Sequence, residues 1–132
     1  MRHRLSVLVT LVVSASCGGA ASTAGATASA TTATTDFSAR ASAIAALSGS
    51  VSSGGTLYKA TASPTCASCH QADGSGQPPT YPSLIEPAAN DTDEALATAI
   101  LKGGDAMKSY ASSLTDQQVA DLIAYLRSAL AQ

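Results

Sequence analysis

The sequence predicts an all-α fold of three to four short helices. Apolar residues recur at helical spacing from Val119 to Leu130, two segments open with capping residues three positions apart, and no β-rich run surrounds the cysteine pair Cys66 and Cys69. The expected helices all fall within residues 54–132, and what precedes them has a different character.

Arg2 and Arg4 are followed by an apolar run from Leu5 to Val13 and by Ser14, Ala15 and Ser16, the outline of a secretory signal peptide over residues 1–17. The run is too short to remain in a bilayer as a spanning helix. Cys17, ahead of Gly18 and Gly19, stands where bacterial lipoproteins carry their lipidated cysteine, although Ser14 holds a place that pattern usually gives to an aliphatic residue. Ordinary cleavage after Ala20 is the alternative, with Gly18 and Ala20 as the small-x-small pair. Either route predicts an exported protein of the bacterial periplasm, and lipidation would anchor it to a membrane. Residues 18–53 are almost entirely Ala, Ser, Thr and Gly. They offer too few large apolar groups to offset their ordering entropy and read as a flexible tether, with Ala39 to Leu47 at most transiently helical.

Within residues 54–132 four basic side chains stand against eight acidic ones, a net charge of −4 that disfavours nucleic-acid binding. A first helix is expected from Gly54 to about Ala62, carrying Leu57 and Tyr58 and ending ahead of Pro64. One helical turn then presents Cys66, Ala67, Ser68, Cys69 and His70, a CxxCH. Two thiols three positions apart can each form a thioether to a haem vinyl group while the adjacent imidazole ligates iron. The pentapeptide therefore predicts one covalent haem c, attached at Cys66 and Cys69 with His70 on the metal. Zinc and redox-dithiol chemistry use similar spacings. Zinc lacks ligands, since only Cys17 and His3 remain beyond the cluster, and a dithiol lacks its usual feeding strand, because Pro64 and Thr65 precede the motif. A chain this short buries little core alone, and a covalent prosthetic group compensates.

From His70 to Asp91 the density of Gly and Pro excludes regular structure, and so long a loop suits a compact domain only if it packs on the ring. Asp91 with Glu94 makes a capping-box-like start for a helix through Lys102, closed by Gly103 and Gly104, with Leu96, Ala99 and Ile100 as its apolar stripe. Thr115 with Gln118 repeats that logic, and Val119, Leu122, Ile123, Leu126 and Leu130 follow at helical spacing. Asp73, Glu86, Asp105 and Asp121 read as solvated charges, and no histidine follows His70 to act as a base, so no catalytic set is expected. Met107 lies between the last two helices. On its own a lone methionine is either a gap-filling core residue or a soft ligand for iron.

Residues from about Gly54 to Leu130 resemble the class I cytochromes c, small all-helical proteins with one haem per domain. Gly54 and Tyr58 look like the family's small residue and aromatic on the first helix, and Tyr125 like their partner on the last. Tyr58 precedes Cys66 by eight residues, farther than the family norm, which implies a local insertion that includes Ser63 and Pro64. Pro82, Ser83 and Leu84 resemble the family's PxL, whose proline carbonyl accepts a hydrogen bond from the ligating histidine and whose leucine packs on the haem. Met107, with Ser109 and Tyr110 after it, resembles the segment of the axial methionine, although Lys108 replaces the usual proline. The resemblance thus implies His70 and Met107 as axial ligands and Pro82, Leu84, Tyr81, Tyr110 and Tyr125 around the haem. It also implies single-electron transfer rather than enzyme chemistry, with redox proteins such as a membrane oxidase, a reductase or a periplasmic dehydrogenase as partners. Two alternatives stay open, a haem subunit of a larger dehydrogenase or oxidase and a five-coordinate haem sensor or enzyme.

Overall fold

The computed structural model describes residues 36–131. The expected signal peptide, Cys17 and residues 18–35 of the expected tether lie outside the described residues. Six helices are present among them: α1 (Phe37–Ala45), α2 (Val51–Thr56), α3 (Ala67–His70), α4 (Ile85–Asn90), α5 (Asp93–Lys102) and α6 (Asp116–Ala129). No strand occurs among the described residues, which hold one isolated bridge between Gln77 and Tyr81. The fold class is the all-α one expected, with six helical segments in place of three to four.

Helix α6 is the element against which α1, α2, α4 and α5 are laid. Its start is fixed locally. The Thr115 side chain accepts from the Gln118 N–H at 3.2 Å while the Gln118 side chain accepts from the Thr115 N–H at 2.9 Å, a reciprocal capping box. Val119, Leu122, Ile123, Leu126 and Leu130 are all buried, and each such side chain contributes about 1.5–3 kcal/mol on leaving water. Asp121 departs from the expected solvated charge. It is buried, and its carboxylate accepts from the Ser50 N–H at 2.8 Å and from Gln117 Nε2 at 3.0 Å, so it anchors the start of α2.

Helices α2 and α6 cross at backbone contact. A Cβ built on Gly54 would sit 1.9 Å from the Asp121 carbonyl oxygen, and one on Gly49 would sit 2.1 Å from that of Ala120. Only glycine admits this approach. Beside the crossing, the Tyr58 and Tyr125 rings pack at 5.2 Å with planes tilted by 42°, as the resemblance implied. Past Thr56 the helix widens into a π-helical turn, Leu57–Thr61, closed by the Ala62 N–H bonding the Leu57 carbonyl at 3.1 Å.

Residues 36–53 correct the expectation of a tether ending at Ser53 and of a first helix beginning at Gly54. Asp36 accepts from the Ser38 N–H and caps α1, whose Ala41 and Ile44 are fully buried against α5 and α6. Helix α2 begins at Val51. The folded unit therefore takes in everything from Asp36 onward. Small residues that look like low complexity here serve as contact surface, because they let backbones approach closely.

Two further differences concern the segment from Pro82 to Lys102. The expected loop from His70 to Asp91 contains α4, in which Pro87 is the third residue, where its missing N–H costs no helical bond. Helix α5 is capped by Thr92, whose hydroxyl accepts from the Ala95 N–H at 3.1 Å, rather than by Asp91. Its buried face is Leu96, Ala97 and Leu101, while Ala99 and Ile100 turn toward the cleft described next.

Candidate functional site

The CxxCH forms the single turn of α3, in which the His70 N–H bonds the Cys66 carbonyl at 2.9 Å. This turn puts both thiols and the imidazole along one wall of a cleft. Two adjoining cavities of about 350 and 250 Å³ make up the cleft, and both are lined by Cys66, His70, Pro82, Met107 and Tyr110. Cys69 and Tyr81 line the larger, and Leu84 lines the smaller together with Leu96, Ile100 and Leu122.

His70 is buried, and its Nδ1 lies 2.8 Å from the Pro82 carbonyl oxygen. A carbonyl can only accept, so Nδ1 carries the proton and donates, which leaves the Nε2 lone pair free to bind a metal. The carbonyl is placed by a tight return of the chain. The Gly76 N–H bonds the His70 carbonyl at 3.0 Å and the Leu84 N–H bonds that of Gly74 at 2.8 Å. Gly76 has φ of 70°, and a Cβ there would lie 2.5 Å from the Pro82 and Tyr81 oxygens. The Tyr58 hydroxyl donates to the Gln71 carbonyl at 2.8 Å and ties the residue after His70 to the first part of the core.

Met107 lies partly buried in the loop between α5 and α6. The Gly104 N–H bonds its carbonyl at 2.9 Å, Ser109 Oγ donates to the Leu101 carbonyl at 2.6 Å, and the Tyr110 N–H bonds that of Ile100 at 3.2 Å. The segment inserted before the motif meets this loop. Lys108 Nζ donates to the Ser63 carbonyl at 3.1 Å and the Tyr110 hydroxyl to that of Pro64 at 2.6 Å.

Burial pushes the Cys66 thiol up to about 11, with the neighbouring Cys69 charge adding to it. Burial also pushes the Tyr110 phenol up to about 12, helped by Cys66 and Cys69, and Tyr58 rises further still, by burial first and then by the charges of Cys66, Tyr125 and Asp73. Asp73 moves the other way because the Ser75 hydroxyl and N–H donate to its carboxylate.

Of the residues expected at the site, Cys66, Cys69, His70, Pro82, Leu84, Tyr81, Tyr110 and Met107 share this cleft. Tyr125 lines neither cavity and reaches the site only through Tyr58. Sequence reasoning missed Tyr58 as a cleft residue, and missed Leu122 and Leu126 because their helical spacing marks them only as core. Among the described residues no three His, Cys, Asp or Glu side chains converge to hold a metal ion directly. The donor set fits a haem c instead: two reduced thiols, an imidazole with one nitrogen held and the other free, a thioether, and mostly apolar walls.

A family model described as cytochrome C oxidase, cbb3-type, subunit III matches residues 49–126. Cytochrome c-554(548) of Halomonas halodenitrificans is 36% identical over 69 residues, which cover 48% of this chain and 83% of that protein. No solved structure matches the chain significantly. With the family model matching more than half of this chain, and with Cys66, Cys69 and His70 supplying the CxxCH of a covalent haem c, the chain belongs to the c-type cytochromes.

Proposed function

We propose that this protein is a single-electron carrier whose haem iron takes His70 Nε2 and the Met107 thioether as axial ligands. The reading rests above all on the 2.8 Å hydrogen bond from His70 Nδ1–H to the Pro82 carbonyl, in a cleft that Met107 also lines. That bond fixes the tautomer and orientation of the ring and makes Nε2 a stronger donor. A soft thioether opposite it favours ferrous iron and raises the potential relative to bis-histidine ligation. Bound haem c supplies the one-electron couple, at iron. The chain supplies the rest. Cys66 and Cys69 anchor the group, Leu96, Ile100, Leu122 and Leu126 keep water from one side of the cleft, and the hydrogen-bonded returns at Gly76 and Gly104 hold both ligand-bearing segments in place. Two filled axial positions leave no site for a substrate, which suits electron transfer and not enzyme chemistry.

The carrier is exported and held at a membrane of the bacterial periplasm by a lipid on Cys17, with the residues after it acting as tether. Redox proteins such as an oxidase, a reductase or a dehydrogenase exchange electrons with it through small, rapidly exchanging contacts. The description of the matched family favours a second reading, a haem subunit within a larger oxidase, and co-purification from membranes separates the two.

Met107→Ala tests the ligand. The ferric protein should lose its sulfur-to-iron charge-transfer band and its potential should fall, whereas an unchanged spectrum and potential would refute the axial assignment and point to an open iron. Cys17→Ala should release the protein from the membrane fraction, and retention there would refute the anchor.

A further inference from the structure

Arg40 lies outside residues 49–126, the stretch that the family model covers, yet it reaches the segment that follows Met107. From α1, Nε donates to Asp116 Oδ1 at 2.7 Å, Nη1 to the Ala111 carbonyl at 2.6 Å and Nη2 to the Leu114 carbonyl at 3.1 Å. Both carbonyls belong to the turn that carries the chain from Tyr110 into α6, and Asp116 is the first residue of α6. A single guanidinium therefore fastens three points of that turn. Helix α1 is a firm support for it. Ala41 and Ile44, next along the helix, are fully buried, and Ser42 Oγ donates to the Glu94 carboxylate of α5 at 2.7 Å.

The hydrogen bonds of Gly104, Ser109 and Tyr110 hold the Met107 loop from the side of α5 and the Ser63–Pro64 segment. They all act at or before Tyr110. Beyond it, the Ser113 and Leu114 N–H groups close the turn on the Tyr110 carbonyl, each at 3.0 Å, and Arg40 ties that turn to α1. A metal ligand carried on a loop keeps its geometry only when the residues around it are themselves locked by packing and hydrogen bonds.

We infer that Arg40 is a positioning residue for Met107, an inference that rests on the axial assignment above. A guanidinium suits the task because its rigid fork carries five donors, whereas one ammonium cannot span these three acceptors. Helix α1 is then a brace for the iron's sixth ligand and not merely an appended helix.

The test uses the holoprotein and reads how often the sixth position opens. Carbon monoxide can bind ferrous iron only when the sulfur has left, so its binding rate reports the open population. Arg40→Ala should speed carbon monoxide binding about tenfold, equivalent to about 1.4 kcal/mol less preference for the ligated state, and should weaken the ferric sulfur-to-iron band. Arg40→Lys, which keeps the charge beside Asp116 and gives up the fork, should recover only part of the difference and covers the case in which the alanine variant does not fold. Ser42→Ala removes a hydrogen bond between α1 and α5 without touching the turn, and should bind carbon monoxide at the wild-type rate. Wild-type rates in both Arg40 variants, or equal acceleration in Ser42→Ala, overturn the brace while the axial assignment stands. A wild-type spectrum left unchanged by Met107→Ala overturns the ligand, and the brace with it.

Discussion

Gly54→Ala is the sharpest test of how this domain is held together. The added Cβ would stand 1.9 Å from the Asp121 carbonyl oxygen and 2.8 Å from Tyr125 Cβ, whereas real Cβ contacts stay beyond 3.0 Å. From 1.9 to 3.0 Å, the two helices must part by about 1 Å, and neither obstacle is the free end of a flexible side chain. Overpacking of this kind costs about 1–3 kcal/mol, and a backbone obstacle puts the cost at the upper end. Parting the helices also weakens the Tyr58–Tyr125 contact, worth about 0.5–1.5 kcal/mol. Alanine returns about 1 kcal/mol of helix propensity. The net loss is about 2–3 kcal/mol, which for a domain of this size lowers Tm by about 10–20 °C. Thermal unfolding of the haem-loaded protein followed by far-ultraviolet circular dichroism measures it. A Tm for Gly54→Ala equal to or above wild type would show that the crossing does not depend on backbone contact.

Three further outcomes are expected. Tyr110 keeps its proton up to about pH 12 in the folded protein, against about 10 when unfolded, so its contribution is complete below pH 10 and is lost as the pH rises from there toward 12. Burial, the larger cause, persists when the cysteines are thioethers; denaturant midpoints across this window should fall less steeply in Tyr110→Phe, and parallel curves would contradict the shift. Arg127 donates to Asp93 Oδ1 at 2.7 Å, to the Ala88 carbonyl at 2.6 Å and to the Asp91 carbonyl, fastening α4 and the start of α5 onto α6. Arg127→Ala should cost about 2–3 kcal/mol in chemical unfolding with little rescue by lysine, and full rescue would mean that charge alone matters. Tyr58→Phe leaves the Gln71 carbonyl without its 2.8 Å donor and should cost about 1 kcal/mol, read in the same assay; a variant as stable as wild type would show that water replaces the hydroxyl at no cost.

The parts of this molecule that were legible in the sequence are those encoded locally. The capping box at Thr115, the apolar spacing through Leu130 and the CxxCH each specify their own geometry within a few residues. The family resemblance added contacts that spacing could not give, among them the Pro82 carbonyl beside His70 and the pairing of Tyr58 with Tyr125. The start of α2 was not legible, because Ala, Ser and Gly signal either too little apolar surface to fold or backbones meant to touch, and only Ala120 and Asp121, which face Gly49 and Gly54, decide between them. Helix α1 was missed because its buried Ala41 and Ile44 lie against α5, far along the chain. The capping positions Asp91 and Thr92 compete for one helix start, and both carry a side-chain acceptor. Asp121 looked solvated because its partners, Ser50 and Gln117, include one that is 71 positions away.

The dependence of α2 and α4 on α6 has a consequence for how the protein is made. A chain that emerges N-terminus first exposes Cys66 and Cys69 while the segment that closes over them has yet to be synthesised, a delay of several seconds at about 5–20 residues per second. During that interval α2 and α4 lack the helix they lean on, so the thiols stay open to whatever delivers the porphyrin. Completion of the chain, through the arrival of its keystone, then shuts the door behind the newly attached group.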